Sequence, residues 1–247
     1  MISYRNNLKL RNALLLITVF VLMLPTGTAV FLSKCPQERL IATHNIEFPK
    51  DSKCSLADTE LSGAIQIAAD NIILDCRGSS LTGPGWGYGI YNSGFNNVLI
   101  RNCEILNYDT GIYSEDVRGM RVEDSLVKDN EKGIEFAGKS IMNSVSRTIA
   151  TENKFAGFKF GRLAVDNVIN WGMIRYNSNY DLYSMNKLLT LNLVNTELCN
   201  NTLLGTECKV SKLVEASPEK VIIPLPPITE PKVIPWCNAE VEPNCDI

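Results

Sequence analysis

Apolar residues in the middle of the chain come in short alternating runs, such as Ile65-Gln66-Ile67, separated by Gly, Asn and Asp. Alternation at period two predicts strands, because successive side chains of a strand point to opposite faces. Residues 72–74, 97–101, 120–123, 168–171 and 189–193 predict further strands, and residues 141–149 fill the equivalent place with Ser144, Ser146 and Arg147 interrupting. Gly78 and the run Gly83-Pro84-Gly85-Trp86-Gly87 are breakers that fit a corner or a longer loop. No stretch of ten or more residues has helical spacing, so repeat classes built on helices are disfavoured.

A recurring phrase is laid over this alternation. It reads Gly89-Ile90-Tyr91, Gly111-Ile112-Tyr113, Gly133-Ile134-Glu135, Gly157-Phe158-Lys159 and Asp181-Leu182-Tyr183, with central residues 22, 22, 24 and 24 apart. A period in that range predicts stacked copies of one unit. The glycines are expected at turns. Ile90, Ile112, Ile134, Phe158 and Leu182 are expected to stack as a core, with Tyr91, Tyr113, Glu135, Lys159 and Tyr183 outward on one face. Asn107, Asn153, Asn177 and Asp129 each lie four residues before the next turn position, so stacking would set them in a hydrogen-bonded ladder.

The runs Asp70-Asn71-Ile72-Ile73-Leu74-Asp75-Cys76-Arg77-Gly78, Gly87-Tyr88-Gly89-Ile90-Tyr91 and Asn96-Asn97-Val98-Leu99-Ile100-Arg101-Asn102-Cys103 resemble the repeats of right-handed parallel β-helix proteins. That superfamily includes pectin-lyase-like enzymes, carbohydrate-binding and sugar-hydrolase domains, and the copper-loading accessory protein for nitrous oxide reductase. The resemblance covers residues 61–205 and implies an all-β fold, a single-chain solenoid of about six coils of 22–24 residues. It implies little about activity, since the matching residues serve turns and core.

The flanks differ in composition. Residues 1–33 begin with Arg5, Lys9 and Arg11 and continue into an uncharged apolar stretch, a membrane-targeting pattern. Either it is a cleaved signal peptide, with small residues at Gly27 and Ala29, or residues 13–32 remain as an anchor; both place the rest of the chain outside the cytoplasm. Residues 34–60 lack the phrase and read as a cap over the first coil, which is expected to begin at Gly63. Residues 206–247 form a tail with seven prolines after position 210, too many for a packed strand or helix. Eight cysteines in an exported chain predict disulfides, and Cys199 with Cys208 and Cys237 with Cys245 would close short loops. Cys35, Cys54, Cys76 and Cys103 allow three pairings.

Charge narrows the partners. A net charge of -3 with intermixed signs offers no basic stripe for nucleic acid. No CxxC pair is present and His44 is the single histidine, so neither a zinc site nor a copper site is expected. A stripe of Trp86, Tyr91, Tyr113 and Tyr183 is the candidate carbohydrate-binding surface, with Glu135 and Lys159 as a cross-strand ion pair between them. Were the chain a polysaccharide lyase or hydrolase, Arg101, Arg121, Glu123 and Asp124 would be its acid, base and cation, and calcium would enter only in that case. Glu115, Asp116 and Asp129 are further acidic candidates, but Glu123 and Asp124, as neighbours, are expected either on opposite sides of a strand or with one of them in a turn. No known polygalacturonase or alginate-epimerase catalytic pattern occurs. The sequence therefore favours non-catalytic binding of a polysaccharide or other surface component, with a structural spacer or adhesin as a further alternative.

Overall fold

The computed structural model describes residues 28–185, 191–194, 196–202 and 205–210. Each turn of the chain contributes one strand to each of three sheets, in a constant order. The first sheet holds Leu40–Ala42, Ile65–Ile67, Tyr88–Ser93, Thr110–Glu115, Lys132–Ala137, Ala156–Phe160 and Tyr180–Ser184, and so carries the recurring phrase. The second holds Val30–Phe31, Ile46–Glu47, Ile73–Asp75, Leu99–Arg101, Arg121–Glu123, Ser144–Ser146, Asn167–Asn170 and Leu191–Val194. In the third, Lys53–Ser55, Ser80–Thr82, Glu104–Leu106, Leu126–Lys128, Ile149–Thr151, Met173–Arg175 and Glu197–Thr202 run parallel, and Gly205–Val210 closes the edge antiparallel. Seven strands in the first sheet enclose about six complete turns, about 29 Å of stack at ~4.8 Å per turn.

Register confirms the period. Ile65 pairs with Ile90, Ile90 with Ile112, Ile112 with Ile134, Ile134 with Phe158 and Phe158 with Leu182. The side chains from Ile65 to Phe158 are fully buried and Leu182 packs against them. Leu74, Ile100, Val122, Val145 and Ile169 supply the second sheet's inner column, and Leu81, Ile105, Val127, Ala150 and Ile174 the third's. Each buried Ile or Val contributes on the order of 1.5–3 kcal/mol by leaving water. The serines of Ser144–Ser146 alternate outward around Val145, which is why that run forms a strand despite its polarity.

Three parts of the fold differ from the sequence expectation. The solenoid begins one turn earlier, since residues 34–60 already contain Leu40–Ala42, Ile46–Glu47 and Lys53–Ser55, one strand for each sheet. This turn lacks the phrase and is held by the Cys35–Cys54 disulfide, while Cys76–Cys103 joins the next two turns.

The phrase glycines are not turn residues. Gly89, Gly111, Gly133 and Gly157 lie in or beside strand registers, and none is among the positive-φ glycines. They are required by crowding: a Cβ on Gly89 would stand 2.6 Å from the Gly111 carbonyl oxygen, and one on Gly111 2.8 Å from that of Gly133.

The corners are made instead by residues in the left-handed region, stacked in three columns. Asn107, Asp129, Glu152 and Tyr176 (φ 61°, 55°, 57° and 60°) turn the chain into the first sheet. Asn97, Met142 and Asp166 turn it into the second, and Asn102, Asp124, Arg147 and Trp171 into the third. The next residue, except Gly172, points its side chain inward, and this shifts the predicted ladder by one position in two turns. Asn153 and Asn177 are rungs as expected, but Asn107 and Asp129 sit in the left-handed corner, leaving the rung positions to Tyr108 and Asn130. Asn and Asp suit both places, being the side chains that most readily tolerate the left-handed region.

The ladder runs as a chain of donations. The Tyr108 N–H donates to Asn130 Oδ1 (2.9 Å), Asn130 Nδ2 to Asn153 Oδ1 (3.2 Å), and Asn153 Nδ2 to Asn177 Oδ1 (2.9 Å). It ends on Asp181, which occupies the glycine position of its turn and turns its carboxylate back to accept from Asn177 Nδ2 (2.8 Å). A second ladder follows the other corner, with Asn143 Nδ2 donating to Asn167 Oδ1 (3.0 Å).

Candidate functional site

The second sheet gathers all four residues proposed for catalysis onto one outer face. Asp75, Arg101, Glu123 and Ser146 are register partners in successive strands, with Arg121 two residues before Glu123. Asp124 belongs to the corner rather than the strand, with φ 49°. It is thus the member of the pair that lies in a turn, and Arg147 reaches both it and Glu123.

Arg147, one turn on, receives both: Nε donates to Asp124 Oδ1 (2.6 Å), Nη2 to Asp124 Oδ2 (2.8 Å), and Nη2 also reaches Glu123 Oε2 (3.5 Å). Arg121 lies 3.7 Å from Glu123, and Arg101 Nε donates to Asp75 Oδ2 at 2.8 Å. Arg147 was not among the sequence candidates. Its spacing of 23 residues from Asp124 is the signal that would have found it.

These partners set the acidity of the carboxylates. The Arg147 hydrogen bonds hold Asp124 below the usual carboxylate range against a weaker opposing effect of burial. Burial pushes Asp75 up, but hydrogen bonds from Asn102, the Arg77 N–H and Arg101 together outweigh it and lower its pKa. A general acid must keep its proton near the working pH, and Asp75 and Asp124 are driven the other way. Glu115, Asp116 and Asp129 do not join the group: Glu115 ends a first-sheet strand, Asp116 accepts the Lys139 N–H (2.7 Å), and Asp129 forms a corner. Among the described residues no set of three or more His, Cys, Asp or Glu side chains is arranged to hold a metal ion.

The first sheet carries the aromatic candidates. Tyr91, Tyr113, Glu135, Lys159 and Tyr183 are successive register partners, as the phrase predicts. The column is half-buried rather than open, and Glu135 is buried. Tyr91 and Tyr113 stack 5.4 Å apart with ring planes 6° from parallel, and Tyr88 tilts against both. Three turns beyond Tyr113, Tyr183 packs with Tyr180 and Phe155 at 5.1 and 5.2 Å.

Between the clusters Lys159 meets Glu135 at 2.9 Å, and Lys132 bridges Asp109 (3.4 Å) and Glu135 (3.9 Å). Tyr88, Tyr180 and Phe155 were missed because they stand outside the phrase, although Tyr88 and Tyr180 begin the same strands. Trp86 is exposed two residues before Tyr88, on the glycine-rich loop.

The stacking decides what this face offers a ligand. One face of Tyr91 and one of Tyr113 are turned to each other and so are closed to a ligand. Burial pushes the Tyr88 hydroxyl up to about 12, with the carboxylates of Asp109, Glu135 and Asp58 adding to it. Burial also raises Tyr113, helped by Glu115 and Glu135, and raises Tyr183. These hydroxyls therefore remain protonated and both donate and accept. From Tyr91 to Tyr183 is four turns, about 19 Å along the stack at ~4.8 Å per turn.

Of the disulfide candidates, Cys199 and Cys208 are direct register partners in the final antiparallel pair. Cys237 and Cys245 lie outside the described residues.

Three parallel sheets wound by one chain, with polar ladders inside the corners, define a parallel β-solenoid. A family model for the right-handed beta helix region matches residues 37–168, more than half of the 247 residues, and the chain belongs to that family. No curated protein and no solved structure matches the chain.

Proposed function

We propose that this protein is an exported β-helix that binds a polysaccharide or another cell-surface component and catalyses no reaction on it. The observation that carries this reading is the contrast between the two outer faces. On the second sheet the candidate acids and arginines are matched to one another. On the first sheet two aromatic clusters flank a charge-balanced centre over about 19 Å, with Trp86 exposed at one end. Protonated tyrosine hydroxyls suit hydrogen bonding to sugar hydroxyls, and Trp86 supplies a ring face for stacking. Export is supported by the basic and apolar start of the chain and by two disulfides, which persist in oxidising compartments.

The test is a glycan panel offered to purified protein, with and without calcium. Retention that is lost in Trp86→Ala and Tyr113→Ala supports binding through the first sheet. Unsaturated or reducing-end products that vanish in Arg101→Ala or Glu123→Ala would overturn the non-catalytic reading in favour of a lyase or hydrolase. Neither product nor retention across the panel would leave the spacer or adhesin role.

A further inference from the structure

We infer that the first-sheet face selects an uncharged polysaccharide and rejects polyuronates and other polyanionic glycans. This deepens the binding role proposed above and rests on it. A polyanion gains its strongest contacts from ionised donors that can turn to meet it. The seven strands of this sheet contain two cationic side chains, Lys132 and Lys159, and each already faces carboxylates. Lys159 Nζ stands 2.9 Å from Glu135 Oε1, while Lys132 Nζ lies 3.4 Å from Asp109 Oδ2 and 3.9 Å from Glu135 Oε2.

The charge around the aromatic side chains is negative. Trp86, Tyr88, Phe155 and Tyr180 lie at the starts of their strands or in the corner before them, and that corner carries Asp109, Asp129, Glu131 and Glu152 against Lys154. Glu115 adds a carboxylate at the end of the Tyr113 strand. Burial raises the hydroxyls of Tyr88 and Tyr113, and nearby carboxylates raise them further: Asp109 and Glu135 act on Tyr88, Glu115 and Glu135 on Tyr113. A uronate in contact with these phenols would enter the same field, and like charges brought together at an interface suppress the wrong partner.

Burial of the central acid makes the exclusion firm. Glu135 is only 6% exposed, so a polyanion that drew Lys159 and Lys132 to itself would leave a buried carboxylate without its cations. A sugar without charge demands no such exchange. It meets phenol hydroxyls that donate and accept, and the exposed ring of Trp86, with the ion pairs left intact.

The experiment is affinity electrophoresis of the full chain in gels containing xyloglucan, galactomannan, polygalacturonate or alginate. The parent is expected to be retarded by a neutral polysaccharide and by neither polyuronate. Glu135→Gln, which releases both lysines, is expected to gain about fivefold in affinity for the polyuronates, an effect lost at high salt. Asp109→Asn, at a more exposed carboxylate, releases Lys132 and gives the same reading should Glu135→Gln not fold. Retardation of the parent by a polyuronate, abolished in Tyr113→Ala, overturns the inference and leaves binding by this face standing. Folded variants that gain nothing for polyuronates also overturn it, since the matched lysines would then not be what excludes anions. Retardation by no glycan at all removes the binding role itself, and the inference with it.

Discussion

Two columns of polar residues run along this solenoid, one inside a corner and one on the second sheet's outer face. Both arise from the same register arithmetic. Asn130, Asn153 and Asn177 are buried, and each amide has hydrogen-bond partners in a neighbouring turn. Asp75, Arg101, Glu123, Asp124 and Arg147 are joined by ion pairs, but all except Asp75 remain partly or largely in water. Geometry alone does not separate them. The medium does, because a buried polar group that loses its partner forfeits its whole hydration, whereas an exposed ion recovers it. The inner column is therefore expected to determine stability, and the outer column the charge pattern seen by a partner.

The sharpest attempt to break this distinction is Gly133→Ala. The new Cβ would meet Asn153 Nδ2 at 3.0 Å and, closer still, the backbone oxygen of Gly157. Neither neighbour can withdraw without disturbing the next turn. A loss of about 3 kcal/mol is expected, at the upper end for overpacking, measured as a lower denaturant midpoint. Removing a rung is the next largest change. Asn153→Ala strips the acceptor from the Asn130 N–H and Nδ2 and the donor from the Val127 carbonyl, at a cost of about 2 kcal/mol.

Asp181 sharpens the comparison, because there the inner column ends on a carboxylate. Burial raises its pKa, and the two Asn177 hydrogen bonds offset this only in part; Oδ2 is buried with no hydrogen-bond partner among the described residues. A carboxyl whose pKa is raised on folding stabilises the fold while protonated. Its contribution is full below the ordinary carboxylate value and is lost as pH rises through the higher folded value. At pH values above the ordinary carboxylate range the burial of this carboxyl is thus a net cost. Asp181→Asn is expected to raise the thermal midpoint at pH 7, with the advantage shrinking as pH is lowered through the same window. An advantage independent of pH would show that folding does not raise the Asp181 pKa.

The division between what was legible in the sequence and what was not follows the same physics. Period, sheet register and inner core were readable because Ile90, Ile112, Ile134 and Phe158 recur in one environment. The third sheet was not foreseen: runs such as Glu104–Leu106 and Leu126–Lys128 are three residues long with one inward side chain, too short for alternation to stand out. The ladder was displaced by one residue at Asn107 and Asp129, since Asn and Asp serve a left-handed corner as well as they serve a rung. The outer pairs were only half readable. The four proposed residues do share a face, but Arg147 could be found only once the turn length between its corner and that of Asp124 was known.

The smallest effect is expected from Arg147→Ala, and it bears most directly on the outer column. Arg147 makes the shortest contact of that face, yet its side chain and Asp124 are both exposed to water. Solvent and salt screen such a pair, so the denaturation midpoint should stay within experimental error of the parent. The change should appear in acidity instead. Without the guanidinium the Asp124 carboxyl loses the hydrogen bonds that hold it below the usual range, and its titration, followed by carbon-13 NMR, should move up toward the ordinary carboxylate value. A shifted titration at constant stability would confirm that these ion pairs set the charge of the face. A loss as large as that of Asn153→Ala would mean that they carry the stack as the inner column does, and the distinction between the two would fail.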